Sequence, residues 1–186
     1  KNLLGNAINF FSEIGFKEIF INTHYLHYRI ENYINKNFNN YPINLIYEPT
    51  ILGTGGGVKN IFNYTQNKKI CVVNSDILWQ MNNKSDILNF IDNFNDVDHC
   101  KILLSYENNF FGLKKNQGDF NIQNGVVSQW SNDNKIIIYS GLQIVSKNIF
   151  EQTPTIFSMN KVWNNLINEK KIIWRFYEIK HYTHWG

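Results

Sequence analysis

The chain is poor in the residues that mark specialised protein classes: 186 residues hold two cysteines, three prolines and two methionines. Two cysteines cannot build a disulfide framework. Cys71 and Cys100 both stand in apolar, strand-like runs, which reads as buried free thiols in a reducing compartment, the cytoplasm. No run approaches the ~20 apolar residues of a membrane span, and no stretch reads as a signal peptide. Charge of one sign is also missing. Lys and Arg total 18 against 15 Asp and Glu, a formal +3, and the lysines are scattered. That excludes the basic stripe needed to bind a nucleic-acid backbone. Ala and Arg are scarce while Asn, Ile and Lys abound. The Asn-rich stretch 35–40 is interrupted by Phe38 and followed by Tyr41, so it reads as AT-rich coding rather than a functional tract.

What is present suits one globular domain over residues 1–186: 43% hydrophobic, 18% charged and 16% aromatic residues, ample for a core. Leu3, Leu4, Ala7, Ile8, Phe11 and Ile14 recur at helical steps, and Gly15 follows as a stop. A short strand over 18–22, a helix over 25–37 and a strand over 43–47 come next, the last ended by Pro49. A glycine loop over 52–58 leads into a short helix. The apolar run 69–74 reads as a strand covered on both faces. A helix over 85–94 and a strand over 101–106 complete the alternation. It predicts an α/β fold of three layers, with a mainly parallel sheet between helices. After residue 112 short strands (119–122, 126–130, 136–139, 142–145) alternate with Asn-Gly or Asn-Asp turns. These predict a small antiparallel extension, closed by a helix over 160–169 and a strand over 172–179.

Two features could carry chemistry. Asp76 directly follows the most apolar strand, and the carboxyl edge of such a sheet is where ligands bind. A hard carboxylate there suits Mg²⁺, which takes one or two carboxylates plus substrate phosphates; the plain alternative is a turn cap. The run Gly53-Thr54-Gly55-Gly56-Gly57 allows close approach of a backbone to a ligand. Its spacing is neither the dinucleotide fingerprint nor a Walker loop.

In order along the chain, residues 48–58 (Glu-Pro-Thr-Ile-Leu-Gly-Thr-Gly-Gly-Gly-Val) and 72–79 (Val-Val-Asn-Ser-Asp-Ile-Leu-Trp) resemble the sugar-phosphate nucleotidyltransferase family. Gly118-Asp119-Phe120, Tyr139-Ser140-Gly141-Leu142-Gln143-Ile144 and Phe157-Ser158-Met159-Asn160-Lys161-Val162-Trp163 resemble its N-acetylmuramate-1-phosphate uridylyltransferase subgroup. The resemblance spans almost the whole chain. It implies a Rossmann-like, GT-A-like nucleotidyltransferase fold. The implied activity is transfer of a nucleoside monophosphate from an NTP to a sugar 1-phosphate, UTP and N-acetylmuramate 1-phosphate ranking first. It further implies Mg²⁺ held by Asp76, a nucleotide pocket of Glu48, Gly53, Thr54, Gly55 and Gly56, and a sugar side of Gly118, Asp119, Tyr139 and Gly141.

The departures are specific. A Gly-x-Gly-x-Arg phosphate loop and the central strand before it are expected ahead of Lys1, and the family's C-terminal continuation beyond Gly186. His184 falls where the family has its second metal-binding Asp, and imidazole is a poorer Mg²⁺ ligand than carboxylate. Ser75 stands in place of Gly, and Gln129-Trp130-Ser131 lies where many relatives have Glu-Lys-Pro. Two rivals follow: a mannose-1-phosphate guanylyltransferase, and a non-catalytic sugar- or nucleotide-binding module of the same fold. The other histidines (His24, His27, His99, His181) have no metal spacing.

Overall fold

Asn2 caps the first helix by accepting the Gly5 amide at 2.8 Å, and the helix stops at Ile14 before Gly15 with φ +112°. This is the start and stop that the pattern predicts. The computed structural model describes residues 2–95, 98–111, 117–131, 135–176 and 182–183. In chain order it contains α1 (Leu3–Glu13), β1 (Ile19–Thr23), α2 (His27–Asn37), β2 (Ile43–Tyr47), α3 (Gly53–Ile61), β3 (Lys69–Val73) and α4 (Lys84–Asp92). Then come β4 (Cys100–Tyr106), β5 (Phe110–Phe111), β6 (Phe120–Gln123), β7 (Val126–Gln129), β8 (Ile137–Ser146), α5 (Met159–Asn168), β9 (Ile172–Phe176) and β10 (Tyr182–Thr183).

The class is mixed α/β, as expected. β1 pairs with β2 in parallel, β4 with β9, and β5 with β10. β8 runs antiparallel to β3, β4 and β6. The antiparallel portion thus reaches further into the sheet than the turn pattern suggests. Local alternation reports a strand but not its neighbour. Helices cover both faces. Alternate residues of β4 separate cleanly: Leu103 joins Phe10 and Phe11 of α1 and Ile87 and Phe90 of α4, while Cys100, Ile102 and Leu104 join Val162, Trp163 and Leu166 of α5. Each fully buried Leu, Ile or Phe contributes about 1.5–3 kcal/mol. Lys101 on β4 is fully buried, and its ammonium donates to the carbonyls of Phe90 at 2.6 Å and Asn93 at 3.1 Å. It thereby caps the C-terminal end of α4, where a cation is favoured.

Two expectations change. Residues 136–139 and 142–145 are not two strands but parts of one, β8. Its Gly141 has φ +85°, and Ile102↔Gln143 is followed by Leu104↔Tyr139, so β8 spends four residues where β4 spends two. The excess is even, so the bulge leaves every side chain on its own face. The glycine run is not a loop either, because Gly53–Ile61 is helical. The predicted Asn-Gly hairpin is there: Asn124 and Gly125 both have positive φ between β6 and β7, as a type I′ turn requires.

β1 and β3 do not pair with each other among the described residues. Between them lies a cavity of about 470 Å³ lined by Ile19 and Ile21 of β1, Ile70 and Val72 of β3, and apolar residues of α1 and α3. Both thiols, Cys71 in β3 and Cys100 in β4, are free. No helix among the described residues is long and apolar enough to cross a membrane.

Candidate functional site

One edge of β8 is filled by β4. The opposite edge is shared: β3 holds it from Leu142 to Ser146, and β6 touches it at Ile137. Between the two, residues 138–141 form the floor of a notch in the sheet. On the β3 side, the Asn74 amide donates to the Gly141 carbonyl at 2.8 Å. On the β6 side, the Tyr139 amide donates to Asp119 Oδ2 at 2.9 Å, and the Asp119 amide to the Ile137 carbonyl at 2.8 Å. Asp76, half-buried, stands just beyond the carboxyl end of β3 on one lip of the notch. Gly118 and Asp119 form the other lip, with Gly118 against the Trp130 ring. Five of the residues marked in the sequence (Asp76, Gly118, Asp119, Tyr139 and Gly141) therefore come together from three strands.

Gly141 has a local reason to be glycine. A Cβ there would lie 2.8 Å from Ile77 and 3.2 Å from the Asn74 Cβ, at a φ that side chains rarely adopt. The Tyr139 ring packs 4.9 Å from the Trp163 ring. Burial above all, with a smaller push from the Asp76 carboxylate, raises the Tyr139 phenol well above its ordinary range. It stays protonated and can donate but not act as a base.

The second group surrounds the N-terminus of α3. The amides of Gly55 and Gly56 both donate to the Phe157 carbonyl (3.0 and 3.1 Å), Phe157 N–H donates to the Leu52 carbonyl at 3.0 Å, and Met159 N–H donates to Thr54 Oγ1 at 2.9 Å. A Cβ on Gly55 would meet the Phe157 ring at 2.3 Å, and one on Gly56 the Thr155 carbonyl oxygen at 2.3 Å. Close approach is required here, as the sequence indicates, and what approaches is the segment leading into α5. Glycine in a helix costs about 0.5–1 kcal/mol relative to Ala, a cost the docked segment offsets. Glu48 is buried near Gly57, accepting from Asn22 Nδ2 at 3.3 Å, and its carbonyl lies 2.6 Å from His24 Nδ1. This group is joined to the notch floor through the segment 157–163, which carries Phe157 against Gly55 and Trp163 against Tyr139. His184, the other residue marked for the metal, lies outside the described residues, as does His181.

Among the described residues no three His, Cys, Asp or Glu come together as a cage. The two carboxylates at the notch, Asp76 on one lip and Asp119 on the other accepting from the Tyr139 amide at 2.9 Å, fit Mg²⁺ that arrives with phosphates and keeps its water, and do not fit a resident structural ion.

Sequence reasoning missed Asn6, whose carboxamide holds Trp79, and Phe157 and Thr155, which fill the glycine surfaces. A polar residue flanking the apolar stripe of α1 was the available signal for Asn6. Nothing in the order of residues pairs a glycine with a phenylalanine a hundred positions later.

No protein-family model matches the chain. Over 65 residues it is 32% identical to the D-glycero-α-D-manno-heptose 1-phosphate guanylyltransferase of Aneurinibacillus thermoaerophilus; the match spans 35% of this chain and only 28% of that protein. HddC from Yersinia pseudotuberculosis, solved in complex with GMP-PN, superposes on 98% of this chain and 78% of its own, with TM-score 0.69 and 21% identity. The inositol-1-phosphate CTP transferase of T. maritima gives TM-score 0.75 at 10% identity, over 98% of this chain and 76% of its own. The fold is the one these nucleotidyltransferases share.

Proposed function

We propose that the protein transfers a nucleoside monophosphate from an NTP to a sugar 1-phosphate, with GTP as the donor. A phosphate oxygen of the sugar phosphate bonds to the α-phosphorus as the bond to the β-phosphate oxygen breaks, and pyrophosphate leaves with that electron pair. No side-chain nucleophile is needed, so the protein positions the reactants and neutralises charge. The observation that carries this reading is the position of Asp76 at the notch where β3 and β6 part on β8. Asp76 would hold Mg²⁺, and the bound ion offsets phosphate charge. In this reading Gly118, Asp119, Tyr139 and Gly141 serve the sugar side, and Glu48, Gly53, Thr54, Gly55 and Gly56 bound the nucleotide side indirectly, through the segment 155–159 that covers the glycine surfaces. His184 is a second metal ligand in it.

Guanylyl transfer is supported by the name of the heptose 1-phosphate relative and by the GMP-PN complex of HddC. Uridylyl transfer to N-acetylmuramate 1-phosphate is the second reading, favoured by the Gly118-Asp119-Phe120 and 139–144 segments. The reading also gives the β1–β3 cavity to an extended strand, because two facing strand edges covered on both sides by apolar helices suit that occupant.

The test is pyrophosphate release across GTP, UTP, CTP and dTTP with heptose, mannose and N-acetylmuramate 1-phosphates, with the nucleotide sugar identified by mass. Product from GTP alone is expected. Product from UTP alone transfers the assignment to the second reading, and a flat response to every pair leaves a non-catalytic binding module.

A further inference from the structure

Asp76 sits in a short segment tied down at both ends. Two residues before it, the Asn74 amide is bound to the Gly141 carbonyl at 2.8 Å. Three residues after it, Asn6 of α1 grips the backbone of Trp79 on both sides: the Trp79 amide donates to Asn6 Oδ1 at 2.7 Å, and Asn6 Nδ2 donates to the Trp79 carbonyl at 2.9 Å. Only a side-chain amide can both accept and donate in this way. A carboxylate cannot donate, and Gln is one methylene longer. Between the ties Ile77 is 3% exposed and lies against Gly141. The Trp79 ring is 2% exposed and stacks on Phe10 at 5.9 Å, with Phe11 edge-on at 5.3 Å. Aromatic packing alone therefore keeps Trp79 in the core. The Asn6 pair adds something else: it fixes the orientation of the peptide groups that lead back to the Asp76 carboxylate.

We propose that Asn6 is a positioning residue for the cation site, holding the 74–79 segment so that Asp76 meets a divalent ion without first being ordered. This rests on the reading of Asp76 given above. A ligand whose backbone is already fixed loses less freedom on binding, and groups that orient a metal ligand change affinity by about 10–100-fold when removed. Asn6→Ala should thus weaken cation binding while the aromatic cluster keeps the fold.

The experiment is Mn²⁺ binding, alone and with GTP, followed by water proton relaxation on wild type, Asp76→Asn, Asn6→Ala, Asn6→Asp and Ile34→Val. Each protein's melting midpoint is recorded alongside. Ile34→Val lies in the cluster between α1 and α2 and controls for destabilisation alone. Expected are loss of the Mn²⁺ site in Asp76→Asn, about tenfold weaker binding in Asn6→Ala, a smaller loss in Asn6→Asp, which keeps the acceptor, and wild-type affinity in Ile34→Val. Should Asn6→Ala unfold, Asn6→Asp decides alone. Wild-type Mn²⁺ affinity in the folded Asn6 variants, or an equal loss in Ile34→Val, overturns the role of Asn6 and leaves Asp76 standing. Wild-type affinity in Asp76→Asn overturns the reading of Asp76, and this inference with it.

Discussion

The notch on β8 was marked in the sequence by an edge carboxylate and the N-terminus of α3 by a glycine run, and the structure uses the two in opposite ways. At the notch two strands separate, leaving an opening lipped by Asp76 and Asp119. At α3 the glycine surfaces are covered: two amides share the Phe157 carbonyl, and the Phe157 ring lies where a Gly55 side chain would go. A glycine run announces that something comes close. It does not say whether the visitor is a ligand or another part of the chain.

Four substitutions or conditions can break or sharpen this contrast. The largest effect belongs to the notch. Asp76→Asn should lower turnover by at least a hundredfold, since charge neutralisation at a transferring phosphate is worth several kcal/mol, with an unchanged melting midpoint. A near-wild-type kcat with the same Mg²⁺ dependence would remove the notch from the chemistry. At α3 the effect should be on folding. Gly55→Val forces an added side chain into the Phe157 ring, an overpacking cost of about 1–3 kcal/mol, and calorimetry should register a lower Tm. A raised KM for NTP at unchanged Tm would show instead that a ligand fills this surface.

Thr54→Val is a gentler probe of the same region. It removes the acceptor of the Met159 amide and should cost ~1 kcal/mol by denaturant melting. No loss would mean that α5 docks by its apolar side chains alone.

The smallest effect at working pH concerns the thiols. Burial pushes the Cys71 thiol up to about 12 from 9.0, and pushes Cys100 up as well. The unfolded chain releases these protons first as pH rises. The stabilisation is therefore complete below pH 9 and is lost progressively as pH climbs towards about 12. Urea melts between pH 7 and 11 should show a flat stability up to about 9 and then a decline. Labelling of native protein at pH 8 should be slow at both thiols; fast labelling of Cys71 would mean that the β1–β3 cavity admits solvent to β3.

Much of the architecture was legible because it rests on local rules. The apolar stripe of α1 with its Asn2 cap and Gly15 stop, the Asn124-Gly125 hairpin and the apolar strand β3 all depend on residues within a few positions of one another. What escaped was of two kinds. The 136–145 region looked interrupted because Ser140-Gly141 resembles a turn; the bulge that keeps it one strand depends on β4. The helical state of Gly53–Ile61 opposes local propensity and is held by residues 155–159, a contact that spacing cannot express. The notch residues were found singly, from edge position and resemblance, but their assembly on three strands was not visible.

By itself the sequence determined most of the helices and strands, which faces are apolar, and that a carboxylate follows the most apolar strand. Hydrophobic periodicity and turn chemistry are short-range and survive in one dimension. Tertiary structure alone decided that β8 lies between β3 and β4, that its far edge opens at residues 138–141, and that Asn6 holds the segment bearing Asp76. Strand order, the filling of glycine surfaces and the anchoring of a loop are set by partners up to about a hundred residues apart. Only the folded chain brings those partners together.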